Sequence, residues 1–170
     1  MKRIMIALAI CGAPTLAYAQ SRSFEFKGIR PTDTLEAHRA EFVKCDKYFS
    51  AQGCIPKDTT VGGVAMFNLV VLFADNGSGV TQIRSDFAAR SYDTMLAAFT
   101  MKWGRPSATS VKTIQNGYGA KLDVPTALWN FNEGTMAVRG GDFQGYAHME
   151  FMSNAEKARI DALQAPKVDF

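Results

Sequence analysis

Residues 64–87 read VAMFNLVVLFADNGSGVTQIRSDF, and their pattern decides the architecture. Phe67, Leu69, Val71 and Phe73 recur at period two, which predicts one apolar face of an extended strand. Asp75-Asn76-Gly77-Ser78-Gly79 supplies turn chemistry, and a second strand pattern follows it. Two such runs across a glycine-rich turn predict an antiparallel hairpin. Val70 and Leu72, apolar on the other face, predict a strand covered on both sides near its end.

Downstream, Ser91 stands as an N-cap for a segment in which Tyr92, Leu96, Phe99 and Trp103 follow helical spacing, and Gly104 and Pro106 stop it. That aromatic stripe predicts a helix packed on a sheet. Four further extended segments are expected at about 107–115, 119–131, 134–140 and 144–152, divided by Asn116-Gly117, Glu133-Gly134 and Gly140-Gly141-Asp142. Pro125 within the longest predicts an edge or bulged strand. In the last, Ala147, Met149 and Phe151 share one face, and Tyr146, His148 and Glu150 the other. Ser153 and Glu156 then form a capping pattern for a C-terminal helix ending near Pro166.

Upstream, Asp33-x-x-Glu36 after Pro31 is also a capping pattern, and Leu35, Phe42 and Val43 recur at helical spacing. The expectation is a helix over 33–44 running directly into Cys45. The order helix, strands, helix, strands, helix predicts an α+β fold: an antiparallel meander with two or three short helices packed on one face. No linker or composition shift divides residues 20–170, which are expected to form a single domain. The helix-then-strands order occurs twice.

The chain opens MKRIMIALAICGAPTLAYAQ, where Lys2 and Arg3 precede a short apolar run and Ala17-Tyr18-Ala19 closes it. This is the pattern of a secretory signal peptide cleaved after Ala19, and the run falls short of the ~20 residues that span a bilayer. A lipoprotein site at Cys11 fits less well, because Ile10 is too bulky for the position before a lipidated cysteine. Cleavage would remove Cys11 and leave Cys45 and Cys54, an even pair in an oxidising compartment, which predicts a disulfide. Closing a loop of about ten residues stabilises a fold by about 2.5–3 kcal/mol in the chain-entropy model. Periplasmic localisation follows from the same reading. Losing Lys2 and Arg3 lowers the net charge from +3 to +1, and no clustered basic face suits nucleic acid.

Phe26-Lys27-Gly28-Ile29, Thr34-x-Glu36, the cysteine-bounded loop, LVVLFADNGSGVTQIRSDF and Trp103-Gly104-Arg105-Pro106 together carry a resemblance. In that order they resemble a broad group of small Gram-negative periplasmic proteins, and more distantly the SmpA/BamE outer-membrane lipoproteins and the β-lactamase inhibitory proteins. The resemblance covers most of the chain after Ala19, with short and mainly structural motifs. It implies a helix-plus-antiparallel-sheet domain that binds other proteins and does no chemistry, and it carries over no catalytic residue. Pro31-Thr32-Asp33 stands where the group usually has a glycine before the capped Thr/Ser, and the expected start at Gln20 lacks a lipidated cysteine.

Candidate chemistry is sparse. His38, Glu41 and Cys45, with Asp46, imitate a metal set on the expected helix, but Cys45 is better used by the disulfide and such a helix face is ordinarily solvated. No G-x-S-x-G elbow, P-loop or dinucleotide fingerprint occurs. His148 and Glu150 share a strand face that suits either a solvated surface or an acid/base pair in a cleft. What remains is aromatic: Tyr48 and Phe49 in the disulfide loop, Tyr118 in a turn, and Phe143 and Tyr146 near the last hairpin. A clamped loop presenting two aromatics is a recognition element at low entropic cost, unless Phe49 folds inward over the helix end. The expected function is a periplasmic binding module without catalysis or cofactor, contacting an envelope protein or peptide and spanning no membrane. Candidate contacts are Tyr48, Phe49, Tyr118 and Tyr146. The alternative is a small envelope hydrolase, or an apolar-ligand carrier with Trp129 and Phe131 inside its sheet, using the His148/Glu150 face.

Overall fold

The computed structural model describes residues 22–164. The expected signal peptide, its cleavage site and Cys11 lie outside them. Strands β1 (Phe42–Tyr48), β2 (Ala51–Pro56), β3 (Thr60–Val61), β4 (Val64–Ala74), β5 (Val80–Ala88), β6 (Ala108–Gln115), β7 (Lys121–Asn130), β8 (Gly134–Arg139) and β9 (Tyr146–Ser153) form one sheet. Helices α1 (Leu35–His38), α2 (Tyr92–Trp103) and α3 (Asn154–Gln164) complete the set, with 3-10 turns at Arg39–Glu41 and Ala89–Ser91. The protein is thus mostly β, an antiparallel sheet with three short helices.

The strand order is β1-β2-β4-β5-β9-β8-β7-β6, with β3 paired to β4 alone. Each half is a short helix followed by a meander, and the last strands of the two halves, β5 and β9, pair antiparallel along their length from Gln82↔Met152 to Ala88↔Tyr146. Read from either edge, the order is therefore the same, with an approximate two-fold axis near Ser85↔Met149. The repeated order in the sequence is a repeated architecture.

One face of the sheet carries the core. Ile83 and Phe87 of β5, Met149 and Phe151 of β9 and Met136 and Val138 of β8 are buried there, as their alternation requires. Helix α2 covers the second half with Met95, Phe99 and Trp103. The Trp103 ring lies 6.2 Å from that of Trp129, whose Nε1 donates to the Gly104 carbonyl at 2.9 Å. Phe24 inserts beside them, its ring stacked 3.8 Å from that of Phe151. Over the first half, Phe26, Ile29, Leu35 and Phe42 do the covering, with Phe42 edge-on to Phe73 at 5.8 Å. Helix α3 buries no residue, so only α2 and the short α1 place side chains in the core.

The first helix departs from expectation. It spans one turn, capped by Thr34, whose Oγ1 accepts from the Ala37 amide at 3.4 Å, and Asp33 instead accepts from the Arg30 amide at 2.8 Å. Residues 42–48 are strand β1. Leu35 and Phe42, seven positions apart, satisfy helical spacing, but both reach the core from different elements, and Cys45 must stand opposite Cys54.

Strand β4 also corrects the period-two reading. Its register slips between Phe67 and Val70 at Asn68, which has φ of +54°. The extra residue inverts the alternation, so Leu69, Val71 and Phe73 stay in the core while Phe67 emerges on the opposite face, paired with Asp86. Pro125 lies inside β7 opposite Val111 of β6, without a bulge in that register but one residue past the end of the β7·β8 pairing, so the strand is an edge only over 121–125. It stands where β8 leaves: Pro125 O accepts from the Gly140 amide at 2.7 Å, and a Cβ on Gly140 would lie 2.5 Å from Pro125 Cδ. Beyond it residues 111–115 and 121–125 form a two-stranded ribbon.

Candidate functional site: the open sheet face

The face opposite the core is built by the alternate residues of the central strands. Gln82, Arg84 and Asp86 come from β5, Tyr146, His148 and Glu150 from β9, Ala137 and Arg139 from β8, and Val70 and Leu72 from β4. A cleft of about 470 Å³ lies on this face, with Tyr48, Asn68, Arg84, Asp86, Arg139, His148 and Glu150 among its lining.

Tyr48 reaches the cleft because β2 carries Gly53 beside it. A Cβ there would meet Tyr48 Cβ at 3.4 Å and Leu72 Cδ2 at 3.3 Å, so the missing side chain leaves room for both side chains. The Arg84 guanidinium sits 5.3 Å from the centre of the Tyr48 ring, a cation–π contact that fixes both groups. Tyr48 in turn supports Phe49, their rings perpendicular at 5.1 Å.

Phe49 does not fold inward. It occupies the tip of the β1-β2 hairpin with φ of +53° and is 87% exposed. The left-handed region costs a bulky residue about 1–2 kcal/mol, and burial of the ring does not offset it. The Cys45–Cys54 disulfide closes the same hairpin, its cysteines directly paired across β1 and β2 with Cα atoms 4.1 Å apart.

The charged groups are mutually engaged. Gln82 Nε2 donates to Glu150 Oε1 at 2.5 Å, and Arg139 Nη2 lies 3.8 Å from Glu150 Oε2. His148 Nδ1 is 2.7 Å from Asp86 Oδ1, and Asn68 Nδ2 donates to Asp86 Oδ2 at 3.1 Å. The bulge thus has a local use: it turns the Asn68 amide onto Asp86. His148 Nε2 is 3.5 Å from Asp142 Oδ2. The amide of Tyr146 holds the Asp142 carboxyl below the usual range against the opposing effect of burial, and the Gln144 amide and His148 add to it. The only nearby serine, Ser85, is buried on the core side and donates to the Phe67 carbonyl at 2.7 Å.

At the start of β9, Tyr146 packs edge-on to Phe67 at 6.1 Å, both half-exposed, in a smaller hollow shared with Asn68 and Asp86. Tyr118 stands apart. It tips the β6-β7 ribbon, 99% exposed, in a turn where Asn116 Oδ1 accepts from the Tyr118 and Ala120 amides. Of the four aromatic candidates, Tyr48 lines the central cleft, Phe49 packs on Tyr48 outside that lining, Tyr146 borders the neighbouring hollow, and Tyr118 joins neither. Arg84, Asp86 and Arg139 converge there too, and only the pairing of strands distant in sequence reveals it.

The residues that imitate a metal set in sequence are otherwise engaged: Cys45 is in the disulfide, and His38 pairs with Asp33 at 2.9 Å and Glu41 at 3.0 Å. Trp129 and Phe131 are core residues under α2 and line no open cavity on this face. A more apolar cleft of about 360 Å³ lies elsewhere, between Phe26, Ile29, Ala40, Phe42 and Pro56, rimmed by Lys27, Glu41, Lys57 and Asp58. Among the described residues no helix is long and apolar enough to cross a membrane. Searches against family models, curated proteins and solved structures return no match to this chain.

Proposed function

We propose that this chain is an exported, non-catalytic binding module of the cell envelope that contacts another protein or peptide through the open sheet face and the Phe49 hairpin tip. The observation that carries this reading is Phe49: a large aromatic in a strained backbone conformation, exposed to solvent, propped on Tyr48, which itself lines the cleft. Strain of this kind persists where the surroundings enforce it and concentrates at ligand-contacting sites. Tyr and Arg beside paired opposite charges are also the composition of interface hot spots.

The bridge supports export, since disulfides persist in oxidising compartments. A non-catalytic role fits the placement of the nearest serine, Ser85, whose hydroxyl faces the core and donates to the Phe67 carbonyl. The same mode of action, inhibitor-like or assembly-like, is what the resemblance to β-lactamase inhibitory proteins and SmpA/BamE proteins implies.

Affinity capture from periplasmic extract tests the reading. The wild-type chain should retain a partner that a Tyr48→Ala/Phe49→Ala variant, folded by circular dichroism, loses; equal yield from both removes the hairpin tip from the site.

A second reading has one specific observation behind it. The His148–Asp86 pair in the cleft has the geometry of an oriented acid/base, which suits a small hydrolase using the His148/Glu150 face. Hydrolysis of ester or phosphoester probes that His148→Gln abolishes would favour it over binding.

A further inference from the structure

The two edges of the sheet are guarded unequally. Strand β1 has the features that block strand addition: a register shift between Phe42 and Lys44, and the charges of Lys44, Asp46 and Lys47. Strand β6, ATSVKTIQ, is far less guarded. It runs in unbroken register with β7 over eight residues, carries Lys112 as its one charge, and is exposed almost throughout, with Val111 at 66%. Its threonines, valine and isoleucine favour extended backbone.

Backbone geometry shows what the edge offers. The Asn116 amide donates to the Ala120 carbonyl at 3.0 Å, marking a hydrogen-bonded pair at the turn. Alternation along the ladder then turns the even-numbered amides of β6 toward β7 and leaves Thr109, Val111 and Thr113 with N–H and C=O facing outward.

We propose that this edge joins a second copy of the chain, β6 pairing antiparallel with β6 about a two-fold axis at Val111. The outward groups of two copies match only when the axis passes through a residue, and two such registers use nearly the whole strand. An axis at Lys112 sets lysine against lysine at the closest cross-strand spacing, where like charges repel. An axis at Val111 sets Val111 against Val111, Thr109 against Thr113, and Lys112 against Ser110. It forms about six backbone hydrogen bonds without a like-charge pair. The same surface serves both partners, as a two-fold interface requires. The open face and the Phe49 tip take no part, so this proposal and the proposed function stand or fall separately.

Sedimentation equilibrium of the wild-type chain should show a concentration-dependent mass approaching twice that of the monomer. Val111→Lys and Val111→Glu should each sediment as a monomer with an unchanged circular dichroism spectrum, because residue 111 is exposed and neither change touches the β6·β7 ladder. Mixed one to one, the two variants should return to the dimer mass, since lysine then faces glutamate across the axis. A wild-type chain monomeric at every concentration overturns the proposal. So does a dimer that survives Val111→Lys, or one that the mixture fails to restore, which would assign the edge to a foreign strand.

Discussion

Removing the disulfide tests how the hairpin is built. In Cys45→Ala/Cys54→Ala the closed loop of ten residues, 45–54, opens. The chain-entropy relation gives about 2.7 kcal/mol for that length at 25 °C. Truncating Cys54, which is fully buried beside Val71, adds up to about 1 kcal/mol of lost packing. For a chain of this size each kcal/mol lowers Tm by about 2–4 °C, so the midpoint should fall by about 5–15 °C. Urea unfolding followed by circular dichroism and by tryptophan fluorescence checks it. The fluorescence reports Trp103 of α2 and Trp129 beneath it, in the opposite half of the sheet. Both probes should shift together, because β4, β5 and β9 join the halves into one ladder. A change in Tm below about 2 °C would refute the claim that the bridge constrains this hairpin.

Phe49→Gly should raise stability by up to about 1 kcal/mol in thermal unfolding, because glycine accepts a φ of +53° without strain, while partner capture falls; a loss of stability would mean the ring packs in solution. Phe24→Ala should cost about 3–5 kcal/mol in denaturant unfolding, since the ring stacks on Phe151 and touches Trp103 and Phe131; a loss under about 1 kcal/mol would place the 22–29 segment outside the core. The Asp33–His38–Glu41 cluster should tune stability with pH. Burial works against the His38 imidazolium, but hydrogen bonds to Glu41 and Asp33 outweigh it and raise its pKa, whereas the Arg30 amide, more than burial opposes, lowers that of Asp33. The His38 contribution is therefore full below the unfolded value of 6.5 and lost as pH rises through the higher folded one. That of Asp33 is present above 3.8 and lost as pH falls. Wild type minus His38→Gln, measured by Tm, should be largest between those values and shrink above pH 7, within about 1 kcal/mol; a difference growing toward pH 9 contradicts the assignment.

Much of the fold is legible in local pattern. The β4-β5 hairpin, the aromatic stripe of α2, the four later strands and the Ser153 cap, whose Oγ accepts from the Glu156 amide at 3.2 Å, all follow from periodicity and turn chemistry. Reading failed where two periods fit the same residues. Leu35 and Phe42 suit a helix, yet tertiary pairing of Cys45 with Cys54 makes residues 42–48 a strand. It failed again at Asn68, because a bulge inverts alternation without changing composition, and no local signal moves Phe67 to the other face. Strand β2, AQGCIP, alternates too weakly to announce itself. The site was legible as separate aromatics and as the His148/Glu150 face of one strand. Tyr48 and Phe49 lie side by side in sequence and in space, whereas Arg84 and Asp86 meet His148 through the β5·β9 pairing, which joins the ends of the chain's two halves, with the β8·β9 hairpin adding Arg139.

Site-specific photocrosslinking tests the central claim, that the open face and its aromatic rim meet the partner, most directly. A photoreactive phenylalanine analogue at Phe49 should form a discrete adduct in envelope extract. The same analogue at Met101, equally exposed on α2 across the sheet, should not. Adducts from Met101 with none from Phe49 would place the contact on the helical side and contradict the account.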